Sequence, residues 1–496
     1  MTLLKRITFS NVIFTFFVLF HLFLFNINVA EWGDSYRILR ASEFIRLGLY
    51  PEDEKRPPLF SAILALRPGN LDAIFFGRLV MLAFSVLAFL IFGKFVRRFI
   101  KDEKFVNLAL ILFALNPAYL YWSIRIMADV PFSFIVLCGF YLLTAWKEKL
   151  NVKEAILLGV IAAVAILTRF EGYLFAFAIG AAILCKKRFV SAITYGLTSF
   201  VLLLPYWLYR NPLSSSYFGE TSGRVYDTKM MWVYLVSLLF LFGFVPAFFF
   251  IFKNYKSLWL FLKENIGIAA FMILELLLIL VWPAAIPRLF IPIIPFLILF
   301  ISMSTWSYFS VKKKSNVFDL AVMGFLLGFY VVSQYFLKQQ FLIVIRPVFV
   351  LIILLQVLLI TAIFLKRFQF AFALMVLSML VWSLVTVYIH KDVYKNTLYA
   401  VEEIQNLASI VVHNDVNSVV DWYFKGKDFY CSINNGKESI TFCLDKYKPD
   451  FVVISNDHNF RFEFNPGKDL RLKEYKSYVF RINGRDFYSK IFKINY

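Results

Sequence analysis

The chain has 496 residues, of which 60% are hydrophobic, 19% aromatic and only 17% charged, whereas soluble domains carry about a quarter charged residues. This composition excludes a soluble multidomain enzyme. The formal net charge of +20 would be consistent with nucleic-acid binding. The positions of the basic residues indicate a different cause of this charge.

Apolar runs long enough to cross a bilayer, about 20 residues each, recur along the first ~390 positions, and the pattern predicts thirteen membrane-spanning helices. The first run is too long for a cleavable signal peptide, and no small-residue cleavage site precedes Glu31 and Asp34. The predicted spans lie near 8–30, 73–95, 105–124, 130–146, 154–168, 172–185, 189–209, 231–252, 266–283, 289–309, 317–336, 341–365 and 368–389.

Lysine and arginine cluster at every second connection between these runs. The clustered connections hold 21 basic and six acidic residues, which accounts for 15 of the 20 net positive charges. This is the positive-inside pattern. It predicts a cytoplasmic N terminus and, with an odd number of spans, a C-terminal tail outside. The basic excess therefore indicates membrane topology and not nucleic-acid binding. The clusters are Lys5 and Arg6; Lys94, Arg97, Arg98, Lys101 and Lys104; Lys147, Lys149 and Lys153; Lys186, Lys187 and Arg188; Lys253, Lys256 and Lys263; Lys312, Lys313 and Lys314; and Lys366 and Arg367.

The longest external connection runs from residue 31 to residue 72. Helical periodicity from Ser35 to Leu47, followed by Gly48, predicts a short helix along the outer surface. Asp34 comes directly after the first span, so its carboxylate would lie at the depth of the lipid headgroups, where a lipid phosphate also lies. Position alone leaves two interpretations open: Asp34 is a functional carboxylate, or it caps the helix that begins at Ser35.

Three further external turns carry charged residues beside apolar runs. Arg125 and Asp129 are four residues apart, which fits a surface ion pair worth a few tenths of a kcal/mol. It equally fits charges that face a polar cavity, because exposure to lipid costs roughly 2.5–3.5 kcal/mol per charge. Arg169 and Glu171 lie in the turn TRFEG, and Arg288 lies in the proline-rich stretch PAAIPRLFIPIIP. A proline-interrupted helix end with an arginine offers donors to an anion, and snorkelling to the headgroups is the alternative for Arg288.

Glu275 is the one carboxylate deep within a predicted span, and an intramembrane ionisable residue is a functional candidate by default. The sequence does not identify its partner. Motifs of soluble enzymes, such as a P-loop, a nucleophile elbow, a zinc-protease motif or a dinucleotide fingerprint, are absent from the sequence. Four histidines in the whole chain argue against a histidine-based metal site.

The tail from residue 390 onward differs in composition from the membrane part. The run Phe451–Ile454 is typical of a strand, and Asn483-Gly484 between alternating segments is a strong hairpin signal. These patterns predict a small α/β domain. Cys431 and Cys443 both fall in this tail, where a disulfide is chemically permitted, but their spacing does not decide whether it forms.

The first ~310 residues resemble the polytopic glycosyltransferases of the C fold, called GT-C, such as dolichyl-phosphate-mannose protein mannosyltransferases and the aminoarabinose transferases of lipid A. These enzymes use polyprenyl-phosphate-linked sugars. The order and spacing of the motifs carry the resemblance, because each motif alone is weak. The matching segments are Gly33-Asp34, Gly48-Leu-Tyr-Pro51 and Arg56-Pro57-Pro58-Leu59 in the first loop, followed by NP…R…ADVPF at 116–132, TRFEG at 168–172 and RLFIPIIP at 288–295.

Two departures from the family pattern stand out. Ser35 follows Asp34, where many relatives have a second acid, and the nearest other acid is Glu31. The tail lacks the WWDxG motif of oligosaccharyltransferases, which argues against transfer of a whole glycan to asparagine.

The resemblance implies a polytopic all-α membrane protein of the GT-C type, with a membrane domain at 1–389 and an extracytoplasmic α/β domain at 390–496. It implies a multi-pass protein of the cell membrane that moves a sugar from a polyprenyl-phosphate donor to a protein, lipid or glycan acceptor, with no nucleic-acid partner. No cofactor is required, and whether a divalent cation joins Asp34 and Asp129 stays open. The implied site comprises Asp34 as the catalytic base, Arg288 and Arg169 as donor-phosphate ligands, and Glu31, Arg125, Asp129 and Glu171 as pocket residues.

Two other functions fit the sequence less well. A transporter or lipid flippase would suit thirteen spans and a buried Glu275, but the hydropathy shows no clear internal repeat and no matching broken spans. An anchor for an external binding domain would leave the acidic first loop and the arginine turns unexplained.

Overall fold

The structure is a computed structural model. It describes residues 8–52, 54–146, 150–210, 241–282, 287–310, 316–337, 346–433, 438–457, 462–465, 469–482 and 484–496. Residues 231–240 of the predicted span near 231–252 fall outside these ranges, and so do the basic residues at 5–6, 147, 149 and 312–314.

Each predicted span contains at least one described helix, although parts of some spans, such as residues 25–30 and 241–246, are turns or irregular. Helices α4, α10 and α17 are each long and apolar enough to cross a membrane. Two pairs, α5 with α6 and α12 with α13, pass the same test jointly but bend at a short break by 52° and 109°. The count of thirteen crossings therefore stays a prediction. In chain order the helices are α1 (Phe9–Leu24), α2 (Gly33–Arg46), α3 (Leu59–Ala65), α4 (Ala73–Phe99), α5 (Glu103–Ala114), α6 (Pro117–Ser123), α7 (Asp129–Ala145), α8 (Val152–Thr168), α9 (Gly172–Cys185), α10 (Phe189–Tyr209), α11 (Ala247–Lys253), α12 (Tyr255–Glu264), α13 (Ile266–Val281), a 3-10 turn (Pro287–Phe290), α14 (Ile294–Ser310), α15 (Val317–Leu337), α16 (Arg346–Phe364) and α17 (Phe368–His390).

The span predicted at 105–124 is not one straight helix. It breaks between α5 and α6, where the Asn116 side chain accepts a hydrogen bond from the backbone of Tyr119 and Pro117 occupies the first position of α6. Proline suits that position because the first amide of a helix has no partner within the helix. The Asn116 amide also donates to the carbonyl of Leu241 at 2.6 Å, which ties the bend to a distant part of the chain.

Buried phenylalanines fill the spaces between the helices. Phe92 of α4 and Phe113 of α5 stack with ring centroids 4.6 Å apart. Phe140 of α7 meets Phe175 of α9 and Phe296 of α14 edge to face, at 5.3 and 5.4 Å. These are the preferred geometries of aromatic pairs, and they hold together the helices whose ends carry the charged turns.

The tail forms a small mixed sheet, as predicted. The strand order is β2-β1-β3-β5-β4, with β2, β1 and β3 parallel and the β3–β5 and β5–β4 pairs antiparallel. The predicted hairpin is confirmed, with Ile482 opposite Arg485 and Gly484 at φ +76°. Cys431 and Cys443 are joined by a disulfide, so the bond that the spacing left undecided is present. The elements are α18 (Lys395–Ile404), β1 (Ile410–His413), α19 (Val419–Tyr423), β2 (Lys427–Tyr430), α20 (Ile440–Tyr447), β3 (Phe451–Ser455), β4 (Leu472–Ile482) and β5 (Arg485–Ile494).

Helix α2 lies between the membrane helices and the sheet domain. The periodicity predicted this helix, which begins at Gly33; its place on the outer membrane surface stays a prediction. Tyr36 is buried and packs its ring 5.6 Å from that of Tyr423 in α19. A side chain at Gly33 would meet Asn417 of the sheet domain at 2.9 Å. The tail therefore contacts the very turn that carries Asp34.

Candidate active site

Asp34 lies in the first turn of α2, and its carboxylate is ion-paired rather than capping the helix. The N-cap position belongs to Trp32, which makes no capping hydrogen bond with its side chain. One carboxylate oxygen of Asp34 binds Arg56, and the other lies 2.7 Å from Nη1 of Arg288. The side chain of Asp34 is 24% exposed. The capping interpretation is therefore wrong, and the carboxylate stays accessible from outside.

The electrostatic environment keeps Asp34 ionised. Burial alone would raise the pKa of its carboxyl, but the positive charges of Arg56 and Arg288 outweigh burial and hold this pKa well below its usual range. A carboxylate with such a low pKa is a weak base as long as both arginines contact it.

Arg56 is the member of this group to which the sequence assigned no role. It also pairs with Glu54 at 2.8 Å. The Tyr50 hydroxyl donates to the Arg56 carbonyl at 2.7 Å, and the guanidinium of Arg210 lies 5.0 Å from the centre of the Tyr50 ring. These contacts fold the first loop back, so that Arg56 reaches a carboxylate 22 positions earlier in the chain. The only local signal was the Arg-Pro-Pro string, which does not show where the arginine points.

A second charged cluster forms where the ends of three helices meet. Arg169, at the end of α8, donates to Asp129 at the start of α7 at 2.6 Å and also binds Glu171 at the start of α9. Glu275 of α13 lies within electrostatic reach of all three. The structure thus identifies the surroundings of Glu275 that the sequence left open. Among the described residues, Asp129 Oδ2 and Glu275 Oε2 are buried without a hydrogen-bond partner.

Arg288 stands where the two clusters approach each other. Its guanidinium pairs with Asp34 and lies 5.7 Å from the ring centre of Trp122. Burial opposes ionisation of Glu171, but Arg169 and, more weakly, Arg288 lower the pKa of its carboxyl. Asp34 and Arg288 are therefore brought together, and Glu171, which binds Arg169, lies within electrostatic reach of Arg288.

Glu31 and Arg125 make their contacts at the start of the first loop. Glu31 is buried and pairs with Arg78 at 2.7 Å. Arg125 is fully buried, and its Nη2 donates to the carbonyl of His390 at 2.9 Å. Arg125 does not pair with Asp129, whose partner is the arginine of the TRFEG turn, so the helical ion pair suggested by their spacing is not formed.

The cluster of Asp34, Arg56 and Arg288 can bind an anion and accept a proton. A guanidinium matches the geometry of a phosphate, and an ionised carboxylate beside it can take a proton. Within the described part of the chain, Asp34 and Asp129 do not belong to any group of three metal-binding side chains close enough to share an ion. A divalent cation at these two residues stays a prediction.

Two solved structures of ArnT, an aminoarabinose transferase from Cupriavidus metallidurans, are similar to this chain. The apo structure matches with a TM-score of 0.63 and 12% identity, and the structure bound to undecaprenyl phosphate matches with 0.60 and 14%. Both alignments cover 97% of each chain. No protein-family model and no curated protein sequence matches the chain. At this level of identity the likeness establishes a shared fold over nearly the whole length.

Proposed function

We propose that this chain, which has the GT-C fold that its sequence motifs predicted, is a membrane glycosyltransferase. It transfers a sugar from a polyprenyl-phosphate donor to a hydroxyl or amine of an acceptor at the extracytoplasmic face. It is a multi-pass protein of the cell membrane, with its N terminus in the cytoplasm and residues 390–496 outside.

The observation that carries this proposal is the Asp34 carboxylate between Arg56 and Arg288, partly exposed in the first loop. An arginine with a carboxylate within 3 Å is the arrangement that a phosphate-linked sugar needs, because one group stabilises the departing phosphate and the other deprotonates the acceptor. The likeness to an ArnT structure that holds undecaprenyl phosphate supports this class of donor.

In the proposed reaction the acceptor oxygen or nitrogen attacks the anomeric carbon as its bond to the phosphate oxygen breaks. Asp34 takes the acceptor proton, which contributes roughly 10²–10⁴ in rate. Arg288, with Arg169 behind it, offsets the charge that develops on the leaving phosphate. Attack from the side opposite the phosphate inverts the anomeric centre.

Donor binding would also strengthen the base. A lipid phosphate that takes up the Arg288 guanidinium removes one of the two positive charges that depress the pKa of Asp34. The pKa of the carboxyl then rises, and a carboxylate with a higher pKa is a better proton acceptor. The enzyme would therefore gain its base when the donor is in place.

The test is a turnover assay on purified full-length protein with undecaprenyl-phosphate-linked pentoses, hexoses and amino sugars, which follows release of undecaprenyl phosphate. We expect Asp34→Asn to lower turnover by roughly 10²–10⁴. Glu43→Gln is the matched control, because Glu43 lies on the same helix and pairs with Arg67, away from Asp34.

Equal turnover of wild type and Asp34→Asn would remove Asp34 from the mechanism. Failure of the wild type to bind undecaprenyl phosphate, or to release it from every donor tested, would overturn the donor class. Substrate uptake into sealed vesicles that depends on Glu275, without sugar release, would favour the transporter instead.

A further inference from the structure

A second group of ionisable side chains meets in the sheet domain, apart from the candidate active site. His413 is the last residue of β1, Asp421 lies in α19 and Asp428 lies in β2. Parallel pairing of β1 with β2 puts Val411 opposite Asp428, so Asp428 and His413 share one face of the sheet. Helix α19 packs on that face through Val420. Three separate elements therefore contribute one side chain each to the same point.

The spacing of the three ligand atoms suits a shared ion. His413 Nε2 lies 3.3 Å from an oxygen of Asp421 and 3.3 Å from an oxygen of Asp428, and all three atoms lie within 4.8 Å of one another. A hydrogen bond from nitrogen to a carboxylate is shorter, about 2.7–2.9 Å. Two ligands bound to one tetrahedral ion at about 2.0–2.1 Å lie about 3.3–3.4 Å apart, which is the separation observed.

The histidine of this group is buried, whereas its two carboxylates are partly open to solvent. The His413 side chain is 1% exposed, and the Asp415 amide donates to its Nδ1 at 3.2 Å. Asp421 and Asp428 are 34% and 27% exposed, which leaves a path for an ion from solvent.

We propose that His413, Asp421 and Asp428 bind one divalent transition-metal ion of the zinc class. The imidazole nitrogen and two carboxylate oxygens are ligands that zinc accepts, and the exposed side of the carboxylates leaves its fourth position to water. When the ion binds at Nε2, the ring proton moves to Nδ1 and the contact with the Asp415 amide is given up. The Asp415 amide then faces the Nδ1 proton and must turn to another acceptor, and the three metal–ligand bonds outweigh this cost.

The ion would join β1, β2 and α19 into one rigid unit. Helix α19 carries Trp422 and Tyr423, whose rings lie 6.2 and 5.6 Å from that of Tyr36 in α2. The ion therefore stabilises the surface on which the helix of Asp34 rests. This role is structural and independent of the proposed transferase reaction.

The test uses full-length protein in detergent without reductant, so that the Cys431–Cys443 disulfide stays closed and its sulfurs do not bind metal. Metal content is measured by mass spectrometry as purified, and metal-stripped protein is then titrated with Zn²⁺, Co²⁺ and Ca²⁺ while the thermal midpoint is followed. We expect one Zn²⁺ per chain, a higher midpoint, and a tetrahedral absorption spectrum with Co²⁺. His413→Gln should weaken Zn²⁺ binding by at least about 100-fold.

Asp428→Asn provides a second ligand variant if His413→Gln does not fold, and the Co²⁺ spectrum of the wild type needs no variant at all. The matched control is Asp486→Asn, which removes an exposed carboxylate of the same sheet and should keep the ion. Stripped wild type that neither binds Zn²⁺ nor changes its midpoint would overturn the proposal. A response to Ca²⁺ alone, or unchanged Zn²⁺ binding in a folded His413→Gln, would also overturn it.

Discussion

Replacing Arg56 by glutamine tests whether Asp34 is the base, because it changes the pKa of the Asp34 carboxyl and leaves the carboxyl in place. Arg56 and Arg288 together hold the pKa of Asp34 well below its usual range against the opposing effect of burial. A neighbouring arginine lowers the pKa of an aspartate by about 1–3 units, or roughly 1.4–4 kcal/mol. The Arg56 side chain is 15% exposed, so solvent screens little of this effect. Arg56→Gln should raise the pKa of Asp34 by about 1–3 units.

The assay is the pH dependence of kcat/KM for sugar release, which reports the groups of the free enzyme. We expect the wild-type value to stay level on the acid side down to the lowest pH at which the protein is folded. In Arg56→Gln it should fall as the pH drops toward about 4, the range of an ordinary aspartate. Arg46→Gln is the control, because Arg46 lies on the same helix and its partners are Glu43 and the carbonyl of Arg67.

The variant also removes the charged partner of Glu54, which among the described residues keeps only the Arg56 backbone amide, and the Glu54 side chain is only 5% exposed. Some loss of stability is therefore expected, and the thermal midpoint must be measured at each pH. A folded Arg56→Gln protein whose acid limb matches that of the wild type would show that Asp34 is not the titrating group in the reaction, and the assignment of the base would be refuted.

Three further predictions concern the sheet domain and its contact with α2. Gly33→Ala should destabilise the protein by roughly 1–3 kcal/mol and lower turnover, because the new Cβ would lie 2.9 Å from Asn417. Burial raises the pKa of Asp457 to about 7, so the folded state binds more protons than the unfolded state between about pH 4 and 7. The wild type therefore loses up to about 4 kcal/mol of stability as the pH rises across that range. Asp457→Asn should remove this loss. Cys431→Ser, which opens the bond to Cys443, should lower the free energy of unfolding by about 2–4 kcal/mol.

Thermal and denaturant unfolding check all three. Gly69→Ala is the control for Gly33→Ala, because nothing lies within 4 Å of a Cβ at that position. The second prediction is contradicted if the wild-type thermal midpoint does not decrease from pH 5 to pH 8 by more than the midpoint of Asp457→Asn does. A Cys431→Ser midpoint equal to that of oxidised wild type would contradict the third.

Local patterns in the sequence were enough to predict the elements that depend on neighbouring residues. Hydropathy located the helices, helical periodicity followed by a glycine predicted α2, and the Asn-Gly pair predicted the β4–β5 hairpin. These features succeed because backbone hydrogen bonds and side-chain periodicity act over a few residues. The same local logic singled out Asp34 and Arg288 as candidates, since each is a charge at the edge of an apolar run.

Partners that are distant in the chain could not be found in this way. The spacing of Arg125 and Asp129 allowed either an ion pair between them or charges that face a polar cavity. The structure buries Arg125 against the His390 carbonyl and joins Asp129 to Arg169. The sequence also missed the bend at Asn116, whose amide binds a carbonyl 125 residues away.

Composition and order along the chain were thus sufficient to predict a helical membrane protein with a small sheet domain in its tail and a charged first loop. Only the tertiary structure decided which charges meet, namely that Arg56 folds back onto Asp34 and that His413 meets two aspartates from other elements. The physical reason is that a charge in a poorly solvated place must find an opposite charge or a hydrogen-bond partner. Which partner it finds depends on how the helices and strands pack, and not on the residues beside it.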